Sequence, residues 1–198
     1  MDILLSYFII PGLTFLLPGK TNWFTSNFSV AGAHFPQNVL LIIWAIVIAR
    51  FYHGFLKRTI GQTKSFLKIE TELVLTDVSA YLLVTSVFFP YRPQSYPFFS
   101  FIHLVTAFTA TILFYSSITL IAVRLYTLAP DLFSFPVALL AFAIACTVIL
   151  LIFSRFLISS ALEIFLTIFS CIWLQLIDRR IQILSRRKSL RSRVRFRA

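Results

Sequence analysis

Apolar residues run almost unbroken from residue 3 to residue 178, divided by short polar segments into stretches at 3–18, 38–56, 72–89, 99–126, 134–153 and 158–178. A helix needs about 20 apolar residues to cross the hydrocarbon core of a bilayer, so each stretch is predicted to be a spanning helix. The expected fold is all-α, a polytopic transmembrane bundle of six spans over 1–178 followed by a basic tail over 179–198. No soluble catalytic domain fits in the short connections. The first stretch is the weakest, being short and interrupted by Pro11. It has no Lys or Arg before it and no small-residue cleavage pattern, and therefore reads as a retained span, not a signal peptide.

Charge gives the bundle a direction, because cytoplasmic loops carry the excess of Lys and Arg. Lys57, Arg58, Lys64 and Lys68 lie between the second and third spans, and nine Lys or Arg with no acid fill the tail. Six crossings put both segments on one side. Both termini are then cytoplasmic, while 19–37, 90–98 and the turn at Ser154 and Arg155 face outward, as expected of a multi-pass protein of the cell (inner) membrane. Composition agrees, with 59% hydrophobic and 13% charged residues and a mean hydropathy of +0.88.

The formal net charge of +11 is mostly local to the tail, which holds nine of the 18 basic residues. Arg186, Arg187, Lys188 and Arg191 are expected to meet anionic lipid, each basic residue near the surface contributing about 1 kcal/mol. Ile181, Leu184, Leu190 and Val194 would let part of the tail lie in the interface as an amphipathic helix. Nucleic acid is a poor partner, since no aromatic platform or folded reader accompanies the charge. Membrane lipids and a partner membrane protein remain.

The outward segments are aromatic and amide-rich. The first loop carries Asn22, Trp23, Phe24, Asn27, Phe28, His34 and Phe35, and the 88–97 segment carries Tyr91, Arg92, Tyr96 and three prolines. Two readings compete: an aromatic belt at headgroup level, or a stiff lid over an outward-facing pocket. Asn27-Phe28-Ser29 also matches a glycosylation acceptor, which matters only in a eukaryotic secretory membrane.

Polar residues inside the spans are costly and turn toward the bundle interior. His103, Ala107, Ala110, Phe114, Ser117, Ile121 and Arg124 form one helical stripe; Ser160, Glu163, Thr167, Ser170, Cys171 and Asp178 form another. Small and hydroxylated residues let helices approach closely, so packing is the plain explanation. By depth, an outer cluster gathers His103, Glu163, Arg155, Arg92 and Tyr91. An inner cluster gathers Arg50, Asp77 and Arg124, in which Arg50 or Arg124 is expected to neutralise Asp77. The inner set reads as structural. The outer set reads as a satisfied hydrogen-bonded pair or as a proton-handling or headgroup-binding site.

Several chemistries lack their residues. Three His and two Cys offer no ligand spacing for zinc or an iron–sulfur cluster, and paired haem ligands are missing. None of the five glycines sits in a phosphate-cradling loop, and no Ser stands in a nucleophile-elbow context. Cys146 and Cys171 fall in hydrocarbon and read as small apolar side chains. No metal or cofactor is therefore expected.

The third span (72–89) ending in Phe89-Pro90, the Pro-rich loop and the fourth span opening with His103 and Ala107, about 35 residues together, resemble the arrangement in small six-helix membrane proteins of the DRAM and FRAG-like group and their bacterial relatives. The run Asn22-Trp23-Phe24-Thr25-Ser26-Asn27-Phe28-Ser29 is likewise similar to that of small bacterial membrane proteins. The resemblance implies an integral membrane protein and supplies no catalytic residue. The leading functional expectation is a protein that binds or senses a small or lipidic ligand from the outer face, or serves as an accessory membrane subunit. One alternative is a substrate-binding or transport subunit of a small-molecule uptake system, although no internal repeat is visible. Another is an intramembrane enzyme on a lipid-linked substrate, with Glu163 and His103 as base and acid; the balance leans away from an enzyme.

Overall fold

A computed structural model describes residues 2–63, 70–155 and 158–195, with the side chains of 2, 60 and 188–195 outside the described set. Every regular element in it is helical: α1 (Asp2–Leu4), a π-helical turn (Leu5–Ile9), α2 (Ile10–Leu16), α3 (Phe28–Ala31), α4 (Gln37–Thr63), α5 (Glu70–Ser86), α6 (Pro97–Leu128), α7 (Pro130–Phe153) and α8 (Ser160–Arg195). Among the described residues four helical stretches are long and apolar enough to cross a membrane: α4, α6, α7 and the Ser160–Arg187 part of α8. The other two expected spans are shorter. Pro11 lacks the donor that would bond back to Tyr7, and the helix widens into its π turn just before that point. Helix α5 has 17 residues, about 26 Å at 1.5 Å per residue, and carries Glu70, Glu72 and Asp77.

The long helices close into a ring in which α4 packs on α2 and α5, α6 on α5 and α7, and α8 on α7, α2 and α4. Apolar burial fills its centre, where Tyr52 of α4 stacks on Phe114 of α6 with ring centroids 3.9 Å apart. Hydroxyls then tie neighbours together. Trp44 Nε1 donates to Thr14 Oγ1 (2.8 Å), Ser79 Oγ to Ala110 O (2.7 Å) and Tyr115 OH to Leu166 O (2.9 Å). The fully buried indole of Trp173 donates to Pro136 O at 2.9 Å. Each bond satisfies a group that hydrocarbon would leave unpaired. The stripe read along α6 behaves accordingly: His103, Ala110, Phe114, Ser117 and Ile121 are all buried.

Alternating helix directions sort the connections to two ends. At one, the first loop meets the loop between α5 and α6 through Arg92 Nη2 donating to Ala33 O (2.6 Å), and meets α8 through Ser160 N donating to Ser26 O (2.7 Å). At the other, Gln62 approaches Asp178 (3.4 Å) and Arg187 pairs with Asp131 (2.7 Å). There α6 and α7 are joined by Ala129 alone, with Pro130 opening α7 where a missing N–H costs nothing.

The expected inner pairing is corrected. Asp77 bonds His53 (Oδ1 to Nδ1, 2.6 Å), and Arg124 pairs with Glu72 (2.7 Å), while Arg50 is exposed on α4. Glu72 and Asp77 are five residues apart, about 140° around a helix, so Glu72 turns to α6 and Asp77 to α4. The tail reading also changes. Helix α8 continues through residue 178 without a break, and Ile181 and Leu184 are buried in the bundle core instead of lying free for the interface. Lys64, Lys68, Lys188 and Arg191 have side chains outside the described residues.

The Glu72 side chain is fully buried, and that of Arg124 is 42% exposed. Removing one partner from such a pair leaves a buried charge and costs about 3 kcal/mol or more. Arg124→Ala should therefore lower unfolding stability by roughly that amount in a denaturant titration, and adding Glu72→Gln should recover part of it.

Candidate functional site

The first loop is the local structure from which the site is built. Asn27 caps α3, its Oδ1 accepting from Val30 N at 2.8 Å, which is the expected use of an Asn preceding a helical turn. This fixes Phe28 and Ser29 over the bundle. Phe28 N donates to Glu163 Oε2 (2.7 Å), and the buried Phe28 ring meets Trp44 edge-on at 5.4 Å. Ser29 Oγ bonds His103 Nε2 at 2.6 Å. The carbonyls of Trp23 and Ser26 also accept from the first free amides of α8, at Ala161 and Ser160.

His103 is committed at both ring nitrogens. Nδ1 faces the carbonyls of Ser86 (2.8 Å) and Phe89 (3.1 Å), groups that only accept, so Nδ1 carries the proton and Nε2 of the neutral ring accepts from Ser29. His103 thus joins α5, α6 and the first loop as a strut.

Beneath Asn27, Phe28 and Ser29 lies a cavity of about 250 Å³ between α4, α5, α6, α7 and α8. Tyr52, Phe114 and Tyr115 line it deep in the bundle, Leu83, Ala107, Leu162 and Leu166 give it apolar walls, and His103, Glu163, Ser79 and Thr167 supply polar groups. A shallower cavity, also of about 250 Å³, lies between the first loop and the 88–92 segment and shares Ser29, Leu41, Val87 and His103 with the first.

The outer cluster read from the sequence divides. His103 and Glu163 both line the deeper cavity; Tyr91 and Arg92 line the shallower one, the Tyr91 ring lying 5.5 Å from that of His103. Arg155 stands apart, exposed in the α7–α8 turn in a left-handed conformation (φ 54°) and lining neither cavity. His103 and Glu163 bond adjacent residues of the first loop and not each other. Phe28 and Ser29 lie outside the outer cluster read from the sequence; the one sequence signal that points to them is Asn27, a residue type that caps helices. Among the described residues no group of three or more His, Cys, Asp or Glu could hold a metal, and both cysteines are free.

No family model, curated protein or solved structure matches this chain. The cavity and its roof therefore carry the functional argument.

Glu163→Ala should free the Phe28 amide and loosen the roof, whereas Glu163→Gln retains an acceptor there. A typical intramolecular hydrogen bond contributes about 0.5–1.5 kcal/mol. Limited proteolysis of residues 19–36 should accelerate in Glu163→Ala and stay near the wild-type rate in Glu163→Gln.

Proposed function

We propose that this chain is a multi-pass membrane protein that binds or senses a small or lipidic ligand in the cavity roofed by its first loop. The observation that carries the reading is the pairing of a 250 Å³ void with a Glu and a His brought to its loop-facing end from different helices. A bundle held together for packing alone would fill such a space, because interiors approach crystal-like density. Ionisable side chains within a membrane bundle are site candidates by default.

In this reading all six long helical segments traverse the bilayer, the two shorter ones by local thinning or tilt of their neighbours. The loop end faces outward and the basic end of α8 faces the cytoplasm, as the positive-inside bias supports. Exposed Phe35, Phe88, Phe98 and Phe101 then sit at the outer headgroup level. Arg186 and Arg187, both exposed, lie where anionic headgroups of the inner leaflet would reach them. We propose likewise that the chain is akin to the DRAM and FRAG-like membrane proteins and serves beside a partner membrane protein. An uptake role is compatible with the cavity. The acid–base reading of Glu163 and His103 draws no support from the geometry, since His103 is held at both nitrogens.

Filling the void tests the reading. Ala107→Trp should leave membrane abundance near wild type while abolishing any ligand that co-purifies with the wild-type protein in native mass spectrometry. Equal ligand occupancy in both proteins would refute it. The orientation is checked by membrane-impermeant thiol labelling in a Cys146→Ala, Cys171→Ala background: Thr25→Cys should react from outside and Arg186→Cys only after permeabilisation.

A further inference from the structure

The cavity has one acidic side chain in its wall and an open flank, and together these specify a class of ligand. Glu163 is the acidic residue among those lining it, and among the described residues no Lys or Arg does so. Of its two carboxylate oxygens, Oε2 accepts from Phe28 N. Among the described residues no hydrogen bond engages Oε1, and Glu163 is half-buried and lines the void. His103 leaves no ring nitrogen free to meet Glu163, since Nδ1 serves two carbonyls and Nε2 is bonded to Ser29 Oγ.

The flank lies between α6 and α7. Leu104 and Phe108 line the cavity and are also 46% and 51% exposed at the bundle surface, with Thr111 one turn further along the same face. Across from them α7 contributes Thr147 and Leu151 and nothing more. Residues that belong at once to the cavity wall and to the lateral surface mark where the two join. The join faces the side of the bundle that meets hydrocarbon in the proposed topology, not the loop end.

Resting on the ligand-binding reading above, we infer that the cavity takes a single-chain amphiphile with an amine head, which enters from the bilayer between α6 and α7 and sets its ammonium against Glu163 beneath the first loop. An ammonium head supplies the countercharge that lets Glu163 ionise in an apolar space, whereas a phosphate or carboxylate head would bring an anion there with no cation near to balance it. Size agrees. An engineered cavity of about 150 Å³ holds benzene, so 250 Å³ holds about ten heavy atoms on that scale, and the lateral opening lets a longer tail extend into lipid.

The test uses the full chain in lipid nanodiscs with three probes that differ only in the head: decylamine, decanol and decanoate, binding being read by native mass spectrometry. Decylamine should bind at least about tenfold more tightly than decanoate, a difference of about 1.4 kcal/mol. Glu163→Gln keeps the acceptor for Phe28 and should bring decylamine and decanol to within about twofold of each other. Thr111→Trp should slow association of all three. Decanoate binding as tightly as decylamine, or an amine preference that survives Glu163→Gln, would overturn the assignment of the head and leave the cavity reading standing. An unchanged association rate in Thr111→Trp would overturn the lateral route. If Ala107→Trp still binds decylamine like the wild type, or none of the probes binds the wild type, the cavity reading falls along with the proposal.

Discussion

A polar group on a helix surrounded by hydrocarbon has no water to turn to, so its partner must come from another helix or from a loop folded back into the bundle. In the proposed topology this constraint organises the chain from end to end. Ser79 reaches the Ala110 carbonyl, Thr14 receives the Trp44 indole, and Trp173 reaches the carbonyl of Pro136. The same demand draws the first loop inward, where Phe28 and Ser29 become the partners of Glu163 and His103. The loop that roofs the cavity is thus fixed in place by two ionisable side chains that also line it.

The periodicity of small and polar positions made the interior faces legible. Stepping along α6 from His103 through Ala110, Phe114 and Ser117 to Ile121 follows residues that the fold buries, because a helical stripe is fixed by 3.6 residues per turn whatever surrounds it. Partner choice was not legible in this way. Arg124 and Asp77 share a depth, yet Arg124 meets Glu72 because the angular position of each acid on α5, not its height, decides which neighbour it faces. Depth can be read from one chain segment; rotation requires knowing which helices are adjacent.

The same distinction explains the outer cluster. His103 and Glu163 lie on interior stripes and arrive together at the cavity, whereas Arg155 lies in a turn, where no periodicity controls direction, and points away. The end of the last span was hidden for a different reason. Composition changes sharply after Asp178, but a change from apolar to basic residues does not interrupt a helix whose buried face continues through Ile181 and Leu184. Length and hydropathy located the bilayer-sized part of α8; packing set where the helix stops being part of the bundle.

The joint at Ala129 gives α6 and α7 a geometry of their own. Two rods tied by one residue cannot separate at the tied end, so any spreading between them grows with distance from the joint, as the blades of a pair of shears part most at their tips. Thr147 lies 17 residues along α7 from Pro130, about 25 Å away. A splay of about 5° at the joint therefore shifts that level by about 2 Å, using the same rise per residue. Small angular changes near Ala129 are thus geared into changes of atomic diameter at the flank of the cavity, while the ion-paired end hardly moves.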